Sequence, residues 1–207
     1  FHRNDLSEAL TEKLLRPSFL DAGYQSGLFL SGPRRIGKTT FIRQDLIPSL
    51  QEAGALVLYA DLWAEPSVDP AKLLNRAILK ALTNMQSRGQ KLAKHLNSAE
   101  LTLPGLRVSF DPHSLGQDQD IHLPDVFKEL IAVSQCNVVL IIDEVQHALS
   151  TEAGRNMLFS LKATRDAINL DPDSEGRFLL VGTGSHRAQV SELVTRRNHA
   201  FMGAVSM

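Results

Sequence analysis

A glycine-containing loop between an apolar run and a helical pattern constrains this chain more than any other feature. Its fixed positions are Gly32, Gly37, Lys38 and Thr39, in the spacing Gly-x-x-x-x-Gly-Lys-Thr, and the apolar run Leu28–Leu30 comes shortly before them. Glycine lets the backbone turn tightly around an anion, because no Cβ is in the way. The sequence therefore predicts a strand, a phosphate-binding loop and a helix in succession.

The loop supplies the first candidate site residues. Its backbone amides and the helix N-terminus would bind phosphates, Lys38 would contact the β- and γ-phosphates, and the Thr39 hydroxyl would bind Mg²⁺. Nine consecutive residues are predicted to contact the nucleotide: Gly32, Pro33, Arg34, Arg35, Ile36, Gly37, Lys38, Thr39 and Thr40.

Composition limits the class of protein. The chain has 207 residues, of which 43% are hydrophobic and 22% charged, as expected for one globular domain. Its single cysteine, Cys136, excludes an internal disulfide, and its net charge of −1 gives no general basic field for nucleic acid. No apolar run approaches the roughly 20 residues of a membrane span, and no secretory signal is visible. We therefore expect no membrane partner and a cytoplasmic location.

The whole chain, residues 1–207, is predicted to be one core domain. Residues 1–22 would form a helical lead-in, and residues 98–122, with several Pro, Gly, Asp and Gln, would form a mobile insertion. The chain begins with Phe1 and ends in the strand-like stretch Phe201–Met207, which suggests a fragment of a longer protein.

Two acids follow the most aliphatic run of the chain. The run Val138–Ile142 suits a central strand that is covered on both faces, and it ends in Asp143 and Glu144. In open α/β sheets, ligands bind beyond the carboxyl ends of the strands, so this pair would lie at the phosphate loop. We expect Asp143 to hold Mg²⁺, mainly through its water shell. Glu144 would polarise the attacking water as a general base.

Two further apolar runs, Ala55–Ala60 and Arg177–Gly182, predict buried strands. Asp61 follows the first run and would lie near the site, where capping of the next loop is its simplest role. Thr183 and Ser185 follow the second run. Either hydroxyl would reach the γ-phosphate or the attacking water, and helix capping by Ser185 is the alternative.

Two pairs of basic residues lie on later helices. Lys162 and Arg165, on a helix predicted over residues 151–169, are expected to be solvated surface charges. Arg196 and Arg197 end the last predicted helix, where cations interact favourably with the helix C-terminus. The alternative role for this second pair is an arginine finger, offered to the nucleotide of a neighbouring subunit.

These motifs together carry a resemblance. The loop Gly32–Thr39, the acids Asp143 and Glu144, and the polar strand end Thr183–Ser185 resemble the Walker A, Walker B and sensor 1 elements of AAA+-type P-loop ATPases. The form Gly-Pro-Arg-Arg-x-Gly-Lys-Thr is similar to that of bacterial and archaeal ATPases grouped near the STAND NTPases. Three segments also resemble uncharacterised proteobacterial AAA-family ATP-binding proteins: Tyr59–Trp63, Leu161–Asp166 and Gly182–Ser185.

The resemblance implies a three-layer α/β/α P-loop NTPase fold, with a central parallel sheet in the order 5-1-4-3-2. It implies Mg²⁺ and ATP as cofactor and ligand, and Thr39 and Asp143 as metal ligands. The implied catalytic residues are Lys38, Glu144, Ser185 and Arg197. Family members carry a helical lid after the core, whereas this chain stops at the fifth strand. The lid and its sensor 2 arginine are therefore expected to be absent.

Four functions are compatible with these residues. The first hypothesis is an ATPase, acting alone or as a homo-oligomer, that couples hydrolysis to conformational change in a protein or nucleic-acid partner. The second is a STAND-like nucleotide switch with little or no hydrolysis. A GTPase is disfavoured, because the chain has no Asn-Lys-x-Asp motif. A small-molecule kinase stays open, although the acid pair favours water as the phosphate acceptor.

Overall fold

Five parallel strands form the central sheet of the protein, seen in a computed structural model that describes residues 2–80, 123–197 and 199–207. The strands are β1 Leu28–Ser31, β2 Leu56–Asp61, β3 Val138–Asp143, β4 Phe178–Gly184 and β5 Val205–Ser206. Their order across the sheet is β2-β3-β4-β1-β5, which is the predicted order read from the opposite edge. The predicted topology is confirmed, whereas the insertion predicted at residues 98–122 lies outside the described residues.

Helices cover the sheet. They are α1 Asn4–Leu15, α2 Lys38–Glu52, α3 over residues 70–80 as far as it is described, α4 Leu123–Ser134, α5 Glu152–Asn169 and α6 Arg187–Thr195. Two 3₁₀ segments, Phe19–Ser26 and Val145–Ser150, precede β1 and follow β3. Within the described ranges, none of these helices combines the length and apolarity needed to cross a bilayer.

Side-chain alternation along the central strands produces the three layers. Successive residues of a strand point to opposite faces of the sheet. Val139 and Ile141 belong to one buried cluster with Leu14 of α1 and Leu46 of α2. Leu140 belongs to a second cluster, with the inward side chains of α3 to α6. Because both faces are covered, β3 and β4 are buried along their whole length, as their aliphatic sequences predict.

Helix α2 widens in its middle. Lys38–Phe41 is α-helical, Ile42–Leu46 is π-helical, and Ile47–Glu52 is α-helical again. Pro48 has no N–H, and its ring would clash with the carbonyl of Gln44, four residues earlier in a regular helix. The sequence predicts a kink or break at Pro48. The structure instead shows a local change of helix type, after which the helix continues.

The burial of Arg165 contradicts the prediction that this residue is a solvated surface charge. Lys162 is exposed as expected, with 41% of its side chain accessible, but only 9% of the Arg165 side chain is accessible. The Arg165 guanidinium donates hydrogen bonds to the Ser26 carbonyl, just before β1, and to the Asp166 carboxylate. The prediction of a solvated charge was wrong, because this position of α5 faces the segment that leads into the sheet.

We predict that Arg165→Met lowers the free energy of unfolding by about 1–3 kcal/mol, because the Ser26 carbonyl loses its charged donor. Urea denaturation followed by circular dichroism measures the change. Lys162→Met is the matched control, since its exposed ion pair with Asp166 contributes only about 0.3–0.5 kcal/mol. Equal effects of the two substitutions would contradict a stabilising role for the Arg165 contacts.

Candidate active site

The candidate site lies where the carboxyl ends of the strands meet. Parallel strands bring these ends to one edge of the sheet, and ligands bind there in open α/β folds. Ser31 at the end of β1 is in register with Gly184 at the end of β4. Asp61 at the end of β2 is in register with Asp143 at the end of β3. The phosphate loop therefore leaves β1 beside the strand ends that carry the acid pair and the two hydroxyls.

Two left-handed residues and the Lys38 side chain shape the loop between β1 and α2 into a tight turn. Gly37 has a φ of 87° and Arg35 a φ of 68°, so both are left-handed. Left-handed residues in such turns form the concave amide nests that bind anions. The Lys38 ammonium donates hydrogen bonds to the carbonyls of Gly32 and Pro33, at 2.8 and 3.0 Å. The side chain of Lys38 therefore curls over the loop, which places a cation beside the anion-binding amides.

The Asp143 carboxylate joins four parts of the site. It is 1% exposed. Its Oδ2 atom accepts hydrogen bonds from the hydroxyls of Thr39 and Tyr59, each at 2.8 Å. Its Oδ1 atom accepts from the Thr183 hydroxyl and from the Glu144 N–H, the latter at 3.1 Å. These four donors hold the Asp143 carboxylate in place between α2, β2, β4 and the backbone of Glu144.

These residues fit a magnesium ion. Thr39 and Asp143 offer hard oxygen atoms that already lie within hydrogen-bond distance of each other. Magnesium commonly uses one or two protein oxygens and keeps several waters. Within residues 2–80, 123–197 and 199–207, Asp143 has no Lys or Arg partner, so a divalent cation would compensate its buried charge. Thr39 and Asp143 are therefore the residues that would hold the metal, and their role as metal ligands stays a prediction.

Tyr59 is a site residue to which the sequence analysis assigns no role. Its hydroxyl is the one polar side-chain group in the run Ala55–Ala60, and this is the local signal of its contact with Asp143. Burial raises the pKa of the Tyr59 hydroxyl far above its ordinary value, and the negative charge of Asp143 raises it further. Tyr59 therefore stays protonated and acts as a hydrogen-bond donor.

Glu144 is held by the strand end of β4. Its backbone is left-handed, with a φ of 53°, a conformation that non-glycine residues keep only when their surroundings enforce it. Its Oε2 atom accepts hydrogen bonds from the Ser185 N–H at 3.1 Å, the Ser185 hydroxyl at 2.8 Å and the Gln146 side-chain amide. Burial alone would raise the pKa of Glu144, but these donors, with the charge of Lys38, hold it below its usual value. The carboxylate is therefore ionised at neutral pH.

A stack of three side chains borders the site. The rings of Trp63 and His147 lie 4.0 Å apart, and the Arg34 guanidinium lies 5.7 Å from the centre of the Trp63 ring. The backbone N–H of His147 donates a hydrogen bond to the backbone carbonyl of Glu144 at 3.0 Å. Burial lowers the pKa of His147, which keeps its imidazole neutral beside the arginine. The stack therefore connects the phosphate loop to the turn that carries Glu144.

The remaining predicted residues divide between local and site contacts. Asp61 accepts from the Trp63 N–H at 2.9 Å, which is the loop-capping role. Thr183 donates to the Asp143 carboxylate, as described above, whereas Ser185, directly after β4, donates to the Glu144 carboxylate.

The arginines at the end of α6 lie apart from these contacts. Arg196 pairs with Glu192 at 3.1 Å, and Arg197 is exposed. In the described part of the chain, neither arginine is hydrogen-bonded to the loop or to the acid pair, so the arginine-finger role stays a prediction.

Comparison with known proteins identifies the family. A family model described as an AAA domain matches residues 21–190, which is most of the chain. The chain belongs to the AAA domain family. The expected resemblance to AAA+ P-loop ATPases is thereby confirmed at the level of the family and the fold. A search among curated proteins gives no match.

Solved structures with the same fold as this AAA domain include two proteins of Aeropyrum pernix. The ORC2 protein in its ADPNP-ADP complexes has a TM-score of 0.58 and 16% identity, over 99% of this chain and 46% of that chain. The ORC1 protein in complex with DNA has a TM-score of 0.51 and 15% identity, over 100% of this chain and 45% of that chain. At these identities the likeness shows the fold alone, and this chain spans less than half of either protein.

We predict that Tyr59→Phe lowers the free energy of unfolding of this AAA domain by about 1.5–3 kcal/mol, because it removes a donor from a buried charged acceptor. Tyr24→Phe is the matched control. Tyr24 is the more buried of the two tyrosines, but among the described residues its hydroxyl contacts only the Met207 sulfur, at 4.0 Å, so loss of the hydroxyl should change stability by less than about 0.5 kcal/mol. Urea titration of both variants tests the difference, and equal values would show that the Asp143 contact contributes no net stability.

Proposed function

We propose that this AAA domain binds ATP with Mg²⁺, hydrolyses it, and couples its nucleotide state to conformational change in a partner. The observation that carries the proposal is the 2.8 Å hydrogen bond between Thr39 and Asp143. These residues are 104 positions apart in sequence, and the fold brings the loop hydroxyl to the buried acid. A phosphate loop that shares a metal-binding pair with the acid of the central strand is the arrangement used for nucleoside triphosphates.

The positions of the site residues support one proposed role for each of them. The loop residues 32–40 would bind the phosphates, with Lys38 at the β- and γ-phosphates, and Thr39 and Asp143 would hold the metal, which would neutralise phosphate charge. Ionised Glu144 would accept a proton from water as the water oxygen bonds to the γ-phosphorus. The bond from that phosphorus to ADP would break. Ser185 would orient the Glu144 carboxylate through its hydrogen bonds, or would contact the γ-phosphate.

A second candidate function is a nucleotide-dependent switch with little or no hydrolysis. One observation favours it: three donors engage Glu144 Oε2, and hydrogen bonding to the charged form makes a carboxylate a weaker base. Such a switch would still bind ATP through Lys38 and the loop. ATP binding without turnover would therefore support the switch over the ATPase.

The proposed partners extend beyond the nucleotide. The DNA-bound structure of ORC1 motivates a nucleic-acid partner as one proposal, and a protein partner is the other. A homo-oligomer is proposed because exposed Arg197 would then reach a neighbouring nucleotide. The cytoplasm is the proposed location, since the proposed reaction uses ATP.

We predict that Lys38→Ala weakens ATP binding by about 10- to 100-fold, because the phosphates lose a charged donor.

We predict that Glu144→Gln keeps ATP binding and lowers kcat by about 10²- to 10⁴-fold, because the general base is removed. Calorimetry measures binding, and phosphate release measures turnover. Lys72→Ala and Glu175→Gln, both at exposed positions, are the matched controls and should behave as the wild type. Wild-type binding by Lys38→Ala would contradict the site assignment.

A mixing experiment tests Arg197 in trans. Arg197→Ala keeps Glu144, whereas Glu144→Gln keeps Arg197, so each variant alone should be nearly inactive. We predict that an equal mixture of the two regains turnover, because one subunit supplies the arginine to the other's intact site. Arg177→Ala, a change of another exposed arginine, should retain wild-type turnover. If the mixture is no more active than the sum of its components, Arg197 does not act between subunits.

A further inference from the structure

Gln146 is the most deeply buried polar residue at the acid pair to which no role has been assigned above. It lies in the 3₁₀ segment after β3, two residues beyond Glu144, and is 4% exposed. Its side-chain Nε2 donates to Glu144 Oε2 and lies 3.4 Å from the Ser185 hydroxyl oxygen. Gln146 therefore contacts both the proposed base and the Ser185 hydroxyl that holds it.

The orientation of the Gln146 amide is set by its neighbours. An ionised carboxylate can only accept hydrogen bonds, and the Ser185 hydroxyl uses its proton on Glu144, so it offers lone pairs to Gln146. Both neighbours therefore require the NH₂ end of the amide. Its Oε1 atom is directed away from them and, within the described residues, is buried without a donor. An unpaired buried carbonyl is unfavourable by about 1–3 kcal/mol. The hydrogen bonds that the NH₂ group donates to Glu144 and Ser185 must therefore offset this cost.

Gly184 makes room for this amide. A Cβ at position 184 would collide with Oε1 of Gln146 and with the side chain of Val190. The end of β4 thus combines a glycine that admits Gln146 with a serine that shares its acceptor. Gly184, Ser185 and Gln146 together border the Glu144 carboxylate on its Oε2 side.

The bonding pattern leaves one oxygen of Glu144 for chemistry. Every hydrogen bond that the described residues make to this carboxylate goes to Oε2. Two side chains on different elements, Gln146 and Ser185, therefore fix the rotation of the carboxylate about its last bond. Oε1 is left to accept a hydrogen bond from a water molecule.

We propose that Gln146 is a positioning residue that anchors Glu144 Oε2, so that Oε1 is presented to the attacking water. This inference rests on the proposed hydrolysis. Gln146 itself contacts neither phosphate nor metal in this role. Loss of the Gln146 amide should misplace the Glu144 carboxylate and leave the affinity for ATP unchanged. Misplacement of a reacting group by about 1 Å lowers rates by about 10²-fold, so the loss should appear in kcat.

The test uses Gln146→Met, which keeps the length of the side chain and removes the donor. We expect kcat for ATP to fall about 10- to 100-fold, with the dissociation constant for Mg²⁺–ATP within about twofold of wild type. Gln51→Met, the same change at an exposed position of α2, should leave both values unchanged. If Gln146→Met fails to fold in a thermal scan, Gln146→Asn, which keeps the amide but withdraws it by one methylene, should show the same split.

A double variant separates positioning from a general structural effect. In a Glu144→Gln background, Gln146→Met should lower the residual turnover by less than about twofold, because residues that act as a unit are not additive. A full additional loss there would overturn the proposal. So would a Gln146→Met enzyme as fast as wild type, or faster, or one that loses ATP affinity together with kcat. Absence of turnover in the wild-type protein would overturn the proposed hydrolysis, and this inference with it.

Discussion

The buried carboxylate of Asp143 is the interaction on which the site depends. It receives hydrogen bonds from the first turn of α2, from β2, from β4 and from the next backbone amide. A buried polar group is tolerated when it is hydrogen-bonded, and loss of a partner is unfavourable. Asp143 therefore fixes the distances between the phosphate loop, the outer strand β2 and the end of β4. The geometry around Glu144 follows from this arrangement, because Glu144 is the next residue.

The fold and the contact between Thr39 and Asp143 could be predicted because their signals are local. Aliphatic runs such as Val138–Ile142 are typical of strands that are covered on both faces, and the Gly32–Thr39 spacing predicts the loop between its strand and helix. The strand order came from the resemblance, and the structure confirms it. Asp143 and Thr39 could be paired in advance, since strand ends in a parallel sheet meet at one edge.

The rest depends on neighbours that are distant in sequence. Arg165 looks like a surface charge on its helix, and only its packing against the segment before β1 reveals that its guanidinium is buried. The sequence gives no role to Gln146 or to Tyr59, although Tyr59 begins a segment that carries the family resemblance, because a glutamine in a short helical segment or a tyrosine in a strand is ordinary. Their roles come from the acids that they contact. The division of Thr183 and Ser185 between two acids was likewise left open by the sequence, because both hydroxyls follow the same strand.

The stack of Arg34, Trp63 and His147 gives the protein an optical property. Trp63 is the only tryptophan of the chain, so all of its indole emission arises beside the phosphate loop. The indole lies between a loop guanidinium and an imidazole that is bonded, through its backbone, to the turn of Glu144. Rearrangement of either side changes the polarity around one ring. The unlabelled chain therefore contains a single indole that reports on the loop and on the turn of Glu144 together.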